Sequence, residues 1–168
     1  MEIERKFTIK SLPKNIDSFE KRELEQAYLC RGTVVLRCRR SNDDYILTYK
    51  SKIGVEVNDN DIARSCEEVE LPLTKEAYEN LKSKADGQVI TKTRYILPFE
   101  NDLKIELDVF HGYLEGLVFA EVEFKSEEEA KVFKAPDWFD KDVTFDSRYC
   151  NAVMVKYDTL EALLNSNE

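Results

Sequence analysis

Formal charges alternate with apolar residues along most of the extended segments of this sequence, and this alternation constrains the fold more than any other feature. At the N-terminus, Glu2, Glu4 and Lys6 occupy even positions, whereas Ile3 and Phe7 occupy odd ones. Successive side chains of a strand point to opposite faces, so such a segment has one charged and one apolar face. The fold must therefore cover the apolar faces and gather many charges on the others.

The same alternation recurs in later segments, and neighbouring charges within a segment mostly share one sign. A sheet face in water usually mixes Ser, Thr, Asn and Gln with its charges. A flat sheet with one solvated face therefore fits this sequence less well than a sheet that curls around its charged face. The charged positions of the later segments are Arg37, Arg39, Lys50, Lys52, Glu68, Glu70, Lys92, Arg94, Glu106, Asp108, Glu121 and Glu123.

The sequence predicts about eight strands in mostly hairpin order, with three or four helices. Antiparallel order favours an α+β fold, and eight strands can close into a barrel just wide enough for side chains or one small ligand. We therefore expect a single domain over 1–168, an eight-stranded antiparallel β-barrel (a tunnel) with helices packed outside. The predicted helical segments lie near Pro13 to Leu24, over 75–85 after the N-cap Thr74, near 127–133 after Ser126, and from about Asn151 to Leu164.

Net charge and cysteine spacing exclude several classes of function. The formal net charge of −9 argues against binding to nucleic acid or to an anionic membrane. The sequence has no membrane-length apolar run and no signal peptide at its charged N-terminus. Its four cysteines form no C-x-x-C pair, which argues against a zinc site and favours free thiols in the reducing cytoplasm.

The two kinds of charge suit two kinds of ligand. Clustered carboxylates from facing strands suit a hard cation such as Mg²⁺ or Mn²⁺. Arginine pairs and Lys-x-Arg on neighbouring strands suit an anion with several phosphates. Because the sequence has no G-x-x-x-x-G-K-[ST] motif, a glycine-rich loop is not what would hold that phosphate.

These residues resemble the CYTH, or triphosphate tunnel metalloenzyme, superfamily. The signature is the E-x-E-x-K motif at Glu2-Ile3-Glu4-Arg5-Lys6, and the resemblance extends over roughly residues 2–157. Further matching segments are Gln26-Ala27-Tyr28-Leu29, Leu36-Arg37-Cys38-Arg39, Thr48-Tyr49-Lys50, Glu68-Val69-Glu70, Lys92-Thr93-Arg94-Tyr95, Ile105-Glu106-Leu107-Asp108, Ala120-Glu121-Val122-Glu123 and Asp146-Ser147-Arg148-Tyr149.

The resemblance implies a role for each group of charged residues. It places Tyr28 and Lys6 beside the reacting phosphate and suggests that Tyr28 accepts a proton. Two other interpretations of Tyr28, packing within the strand or merely orienting water, stay open. The implied metal ligands are Glu2, Glu4, Glu121 and Glu123, with Asp108 added. The implied phosphate ligands are Lys6, Arg37, Arg39, Lys50, Lys92 and Arg94.

The resemblance also implies an activity. Short chains of this kind are most similar to the small bacterial inorganic triphosphatases, which use a divalent cation to cleave tripolyphosphate into pyrophosphate and phosphate. A nucleoside or thiamine triphosphatase and a class IV-type adenylate cyclase are the alternatives. A non-catalytic polyphosphate-binding module would not need four clustered glutamates. A triphosphate-containing small molecule is the expected partner, and a homodimer is left open.

Overall fold

Eight antiparallel strands form a closed barrel in the computed structural model, which describes residues 2–54 and 62–166. Neighbouring strands follow the order β5-β4-β3-β2-β6-β7-β8-β1, and pairing of β1 with β5 closes the ring. The predicted fold class is confirmed. The barrel strands are Glu2–Ile9 (β1), Glu20–Cys30 (β2), Val34–Ser41 (β3), Asp44–Ser51 (β4), Arg64–Pro72 (β5), Ile90–Pro98 (β6), Lys104–Phe110 (β7) and Val118–Phe124 (β8).

Strand β1 has three neighbours, and this makes the closure possible. Its first residues pair with β5, where Glu2 lies opposite Cys66 and Glu4 opposite Arg64. Farther along, the same edge of β1 pairs with a short ninth strand, β9 (Phe139–Asp142). Its other edge pairs with β8 along nearly its whole length. The barrel interior is therefore enclosed on both sides of the N-terminal strand.

Local sequence signals fix the tight turn and the first helix. Ser41 lies opposite Asp44, which leaves a two-residue turn in which Asn42 has a φ of 53°. Asparagine tolerates that left-handed conformation and is common in such hairpins. Helix α1 (Lys75–Lys82) begins after Thr74, whose side chain accepts a hydrogen bond from the Ala77 N–H as predicted.

Two apolar clusters cover the outer face of the barrel. Under α1, Tyr78 packs on Ala27 and Cys38. The larger cluster lies under helix α2 (Glu127–Val132) and β9, and it joins the outward residues of β1, β7 and β8. Its buried members on β1, β7 and β8 are Ile3, Phe7, Ile105, Leu107, Ala120, Val122 and Phe124.

A third apolar cluster fills one end of the barrel interior. Here Tyr28, Ile90, Phe110 and Phe119 share the inward parity of the charged residues but pack against the C-terminal segment. That segment includes helices α3 (Asn151–Met154) and α4 (Leu160–Leu164) and contributes Met154, Val155 and Leu163. Burial of these apolar side chains stabilises the contact between the barrel and the C-terminal segment.

Three of the expected elements differ from the structure. The helix predicted from Pro13 to Leu24 is wrong: a 3₁₀ turn spans Ile16–Ser18 and β2 already begins at Glu20. The sequence also predicts a strand over 26–40, but the structure has two strands there, because the chain reverses at 31–33. The final helix is divided into α3 and α4, and the Thr159 side chain caps the second.

The four cysteines are free thiols, as predicted. In the described ranges, no helix combines the length and apolar character needed to span a membrane.

Candidate functional site

The charged inward positions line one cavity of about 910 Å³ inside the barrel. Of the predicted site residues, all but Lys92 and Asp108 contribute to its wall. Residues that the sequence reasoning did not single out also line it, among them Arg22, Leu24, Cys66 and Asn151. The predicted residues in the wall are Glu2, Glu4, Lys6, Tyr28, Arg37, Arg39, Lys50, Arg94, Glu121 and Glu123.

Lys6 and Glu121 form the centre of the site on neighbouring strands. The two residues are directly opposite in the β1–β8 pairing, and Lys6 Nζ lies 2.9 Å from Glu121 Oε1 and 3.4 Å from Glu4 Oε1. Burial disfavours the ammonium ion, but Glu121 and Glu4 outweigh it and raise the pKa of Lys6. Lys6 therefore remains a cation at neutral pH, available to an anionic ligand.

Arg94 contacts three carboxylates in the adjacent cluster on β6, β7 and β8. Its guanidinium donates to both oxygens of Asp108, at 2.6 and 2.7 Å, and to Glu121 Oε2 at 2.5 Å. It also bonds Glu106. These hydrogen bonds fix the plane of the guanidinium. A guanidinium held in one plane can donate two parallel hydrogen bonds to a phosphate group.

Lys92 and Asp108 lie behind this wall as a buried ion pair. They are 2% and 0% exposed, and the Lys92 ammonium donates to Asp108 Oδ2. Burial and the nearby Arg94 lower the pKa of Lys92 to about 8, although Asp108 opposes this shift. The ammonium also lies 5.2 Å from the centre of the Phe110 ring, at the boundary with the apolar end.

A second charged cluster spans β1, β3, β4 and β5. Arg39 Nη2 donates to Glu70 Oε1 at 2.9 Å, and Lys50 Nζ lies 2.5 Å from Glu2 Oε2. Burial opposes ionisation of Glu2, but Lys50 outweighs it and lowers the pKa of that carboxyl. Arg37 is buried and donates to Thr48 Oγ1 at 3.1 Å. These residues give the cavity a second wall of cations, in which Arg39 and Lys50 each lie beside a carboxylate.

Glu123 lies among other carboxylates of the cavity wall. Partial desolvation inside the cavity, together with repulsion from Glu106, Glu2, Glu121 and Glu4, raises the pKa of its carboxyl to about 7. In the β1–β8 pairing, Glu4 is directly opposite Glu123. Two facing glutamates held this way give a region of negative potential that a cation would stabilise.

Tyr28 joins the charged cavity to the apolar end. It is 3% exposed, packs with the apolar cluster and lies opposite Arg37 in the β2–β3 pairing. Burial raises the pKa of its phenol, although the nearby Arg37 opposes the shift. Its hydroxyl oxygen accepts a hydrogen bond from Gln26 Nε2 at 3.2 Å. Sequence reasoning quoted Gln26 as part of the matching segment but assigned it no role.

The fold and the cavity define a class: a closed antiparallel barrel whose interior presents acidic and basic side chains to one ligand space. Residues 1–142 match the CYTH domain family, and the chain belongs to it. The chain is 36% identical over 155 residues to the inorganic triphosphatase of Nitrosomonas europaea, covering 91% of this chain and 95% of the relative. It is 40% identical over 121 residues to the inorganic triphosphatase of Acetivibrio thermocellus, covering 72% and 71%.

Solved structures agree with this assignment. The crystal structure of the inorganic triphosphatase NE1496 superposes with a TM-score of 0.67 at 32% identity, covering 95% of this chain and 97% of that one. The family resemblance inferred from the E-x-E-x-K motif is thus confirmed.

Membership in a family of tunnel metalloenzymes implies a divalent cation, and the residues present fit one. The candidate ligands are all carboxylates, which hard cations prefer. Two of them, Glu4 and Glu123, lie directly opposite each other in the β1–β8 pairing. Within the described ranges, no three side chains of His, Cys, Asp or Glu lie close enough together to coordinate one metal ion. Glu2 and Glu121 instead point toward Lys50 and Lys6.

Proposed function

We propose that the protein hydrolyses inorganic tripolyphosphate to pyrophosphate and phosphate, using Mg²⁺ or Mn²⁺ in the cytoplasm. The observation that carries this proposal is the pairing of opposite charges within one cavity, where Lys6, Lys50, Arg39 and Arg94 each lie beside a carboxylate. A ligand that brings its own anion and cation can bind both members of every pair. The relatives named inorganic triphosphatase support the same activity.

The basic residues would bind the phosphate chain. Arginines offer two parallel donors to a phosphoryl group, whereas lysines act as compact point charges. Arg37 and Arg39 each retain a guanidinium N–H with no partner among the described residues. The proposed phosphate ligands are Lys6, Arg37, Arg39, Lys50, Lys92 and Arg94.

The acidic residues would hold the cation. Glu2, Glu4, Glu121 and Glu123 face the cavity, and Asp108 lies behind them in contact with Arg94. A bound divalent cation would neutralise and polarise the phosphoryl oxygens. On this proposal, Lys6 and Lys50 exchange their carboxylate partners for phosphate when the ligand binds.

The reaction is an in-line displacement at a terminal phosphorus. The oxygen of a water molecule forms a bond to that phosphorus, the bridging P–O bond breaks, and its electrons leave with pyrophosphate. The proton of the water passes to the released phosphate, because the loose transition state needs little help from a base. Lys6 offsets the charge that shifts toward the leaving group, and Tyr28 contacts the reacting phosphoryl group.

A panel of substrates tests this proposal. We expect kcat/KM for tripolyphosphate to exceed that for ATP, thiamine triphosphate and pyrophosphate. Pyrophosphate should be a poor substrate because its two phosphates leave part of the basic set unpaired. Comparable values for ATP or thiamine triphosphate would favour a nucleoside or thiamine triphosphatase. Cyclic AMP formed from ATP would identify a cyclase.

A further inference from the structure

Gln26 is a buried amide that contacts a residue of the candidate site. It is 1% exposed and lies on the inward face of β2, two residues before Tyr28. In the β2–β3 pairing, Gln26 is opposite Arg39 and Tyr28 is opposite Arg37. Its Nε2 donates to Tyr28 Oη at 3.2 Å. A buried amide needs hydrogen-bond partners, so this contact holds both side chains in place.

The groups that face Tyr28 are mostly donors. Arg37 on β3, Lys50 on β4 and Lys6 on β1 all act on the phenol electrostatically. Cys150 of the C-terminal segment also interacts with it, and so does Tyr113, which packs against the same apolar cluster. Lysine and arginine side chains have no acceptor atom, and a thiol sulfur is a weak one. Because the Gln26 amide donates to Tyr28 Oη, the phenol O–H remains available to donate a hydrogen bond of its own. A phosphoryl oxygen in the cavity is an acceptor of the required kind.

We propose that Gln26 is a positioning residue that holds the Tyr28 hydroxyl as a hydrogen-bond donor toward the reacting phosphoryl group. This inference rests on the proposed triphosphatase function and deepens it. It differs from the proton-acceptor role that the family resemblance implies for Tyr28. The donor role uses a neutral phenol, which is the form that burial favours.

A double-mutant cycle with tripolyphosphate as substrate tests the positioning role. We expect Tyr28→Phe to lower kcat/KM by about tenfold or more, and Gln26→Met to lower it by roughly three- to tenfold. If Gln26 acts through Tyr28, the double variant is no slower than Tyr28→Phe alone. Effects that multiply in the double variant, or a Tyr28→Phe protein with wild-type activity, would overturn the proposal.

The charge of the residue at position 26 gives a second comparison. A carboxylate in Gln26→Glu accepts the phenol proton and withdraws it from the substrate, so this variant should be slower than Gln26→Met. Gln88→Met is the matched control, since Gln88 is exposed and its side chain donates to Asp158 at 2.8 Å. It should retain wild-type kcat/KM. A Gln26→Glu protein as active as wild type would contradict the donor role.

The pH dependence separates a donor from a proton acceptor. The ratio of wild-type to Tyr28→Phe kcat/KM cancels the ionisation of substrate and metal. We expect this ratio to stay constant between about pH 6 and 9, where the phenol is neutral. A ratio that rises about tenfold per pH unit would show that the phenolate is the active form and would overturn the proposal.

A readout without turnover keeps this inference distinct from the proposed function. The side-chain amide resonances of Gln26, assigned by their loss in Gln26→Met, should shift in Tyr28→Phe. Unshifted resonances would overturn the proposal even if tripolyphosphate is cleaved. If the Gln26 resonances shift but the protein cleaves no tripolyphosphate, the contact between Gln26 and Tyr28 is supported. The triphosphatase function is then refuted, and so is the role of Tyr28 as a donor to the substrate.

Discussion

Lys6 Nζ lies 2.9 Å from Glu121 Oε1, directly across the β1–β8 pairing. Both side chains are about nine-tenths buried or more, and both line the cavity. Breaking a buried pair by removing one member is costly. A ligand that brings a cation for the carboxylate and a phosphate for the ammonium avoids that cost. Lys6 and Glu121 are therefore placed to bind the two charges of one ligand.

Glu4→Gln should abolish activation by the divalent cation and leave the fold intact. Glu4 faces Glu123 across the strand pairing, so removing its charge relieves repulsion as well as removing a cation ligand. We expect loss of metal-dependent turnover with little change in Tm, because the lost attraction to Lys6 offsets the relieved repulsion. Glu67→Gln, on the exposed outer face of β5, is the matched control and should behave as wild type. Full Mg²⁺-dependent activity in Glu4→Gln would refute the ligand assignment.

Arg39→Ala should lower kcat/KM roughly 100-fold, whereas Arg40→Ala should change it little. Arg39 lines the cavity and donates to Glu70, while its neighbour Arg40 has the opposite parity on β3. Steady-state kinetics of both variants, with Tm values to exclude unfolding, make the comparison. Equal losses, or a larger loss for Arg40→Ala, would contradict the assignment of Arg39 to phosphate binding.

Asp108→Asn should destabilise the protein by about 3–5 kcal/mol, because it leaves the buried Lys92 and the partly buried Arg94 without their shared carboxylate. Denaturant unfolding measures this change. Glu79→Gln removes one member of a half-exposed pair with Lys82 and should cost less than about 1 kcal/mol. Equal stability losses in the two variants would show that the buried pair contributes no more than a surface one.

Gly87→Ala should destabilise the protein more than Gly54→Ala. Both glycines have positive φ, so alanine strains the backbone at each. At Gly87 an added Cβ would also lie 2.3 Å from the Val155 carbonyl oxygen, whereas at Gly54 no atom of the residues that the structure describes lies within 4 Å. The difference in Tm therefore measures the contact that holds the C-terminal segment over the apolar end. Equal Tm losses would mean that the segment adjusts freely.

Strand parity made the cavity wall predictable from the sequence. Because a strand alternates with a period of two, placing Glu2 inside also places Glu4 and Lys6 inside, and the cavity contains all three. Parity does not tell how deep a residue lies. Lys92 and Asp108 share the inward face but lie behind the cavity wall, because neighbouring strands are staggered in a barrel.

The apolar end of the barrel could not be predicted from strand patterns alone. Ile90, Phe110 and Phe119 are inward residues that depend on contacts with Met154 and Val155, more than thirty residues away in the chain. Local patterns also misassigned the segment before β2. Leu12, Ile16 and Phe19 have helical spacing, but the tertiary pairing of β2 with β6 overrides it, starting at Glu20.

Phosphorus NMR of the purified protein with tripolyphosphate tests the central claim most directly. With Mg²⁺ or Mn²⁺ present, we expect the tripolyphosphate signals to be replaced by pyrophosphate and phosphate in equal amounts. EDTA should stop the conversion, and excess divalent cation should restore it, because the facing glutamates need the cation to bind the substrate. Undiminished cleavage in EDTA, or intact tripolyphosphate in the presence of either cation, would contradict the account.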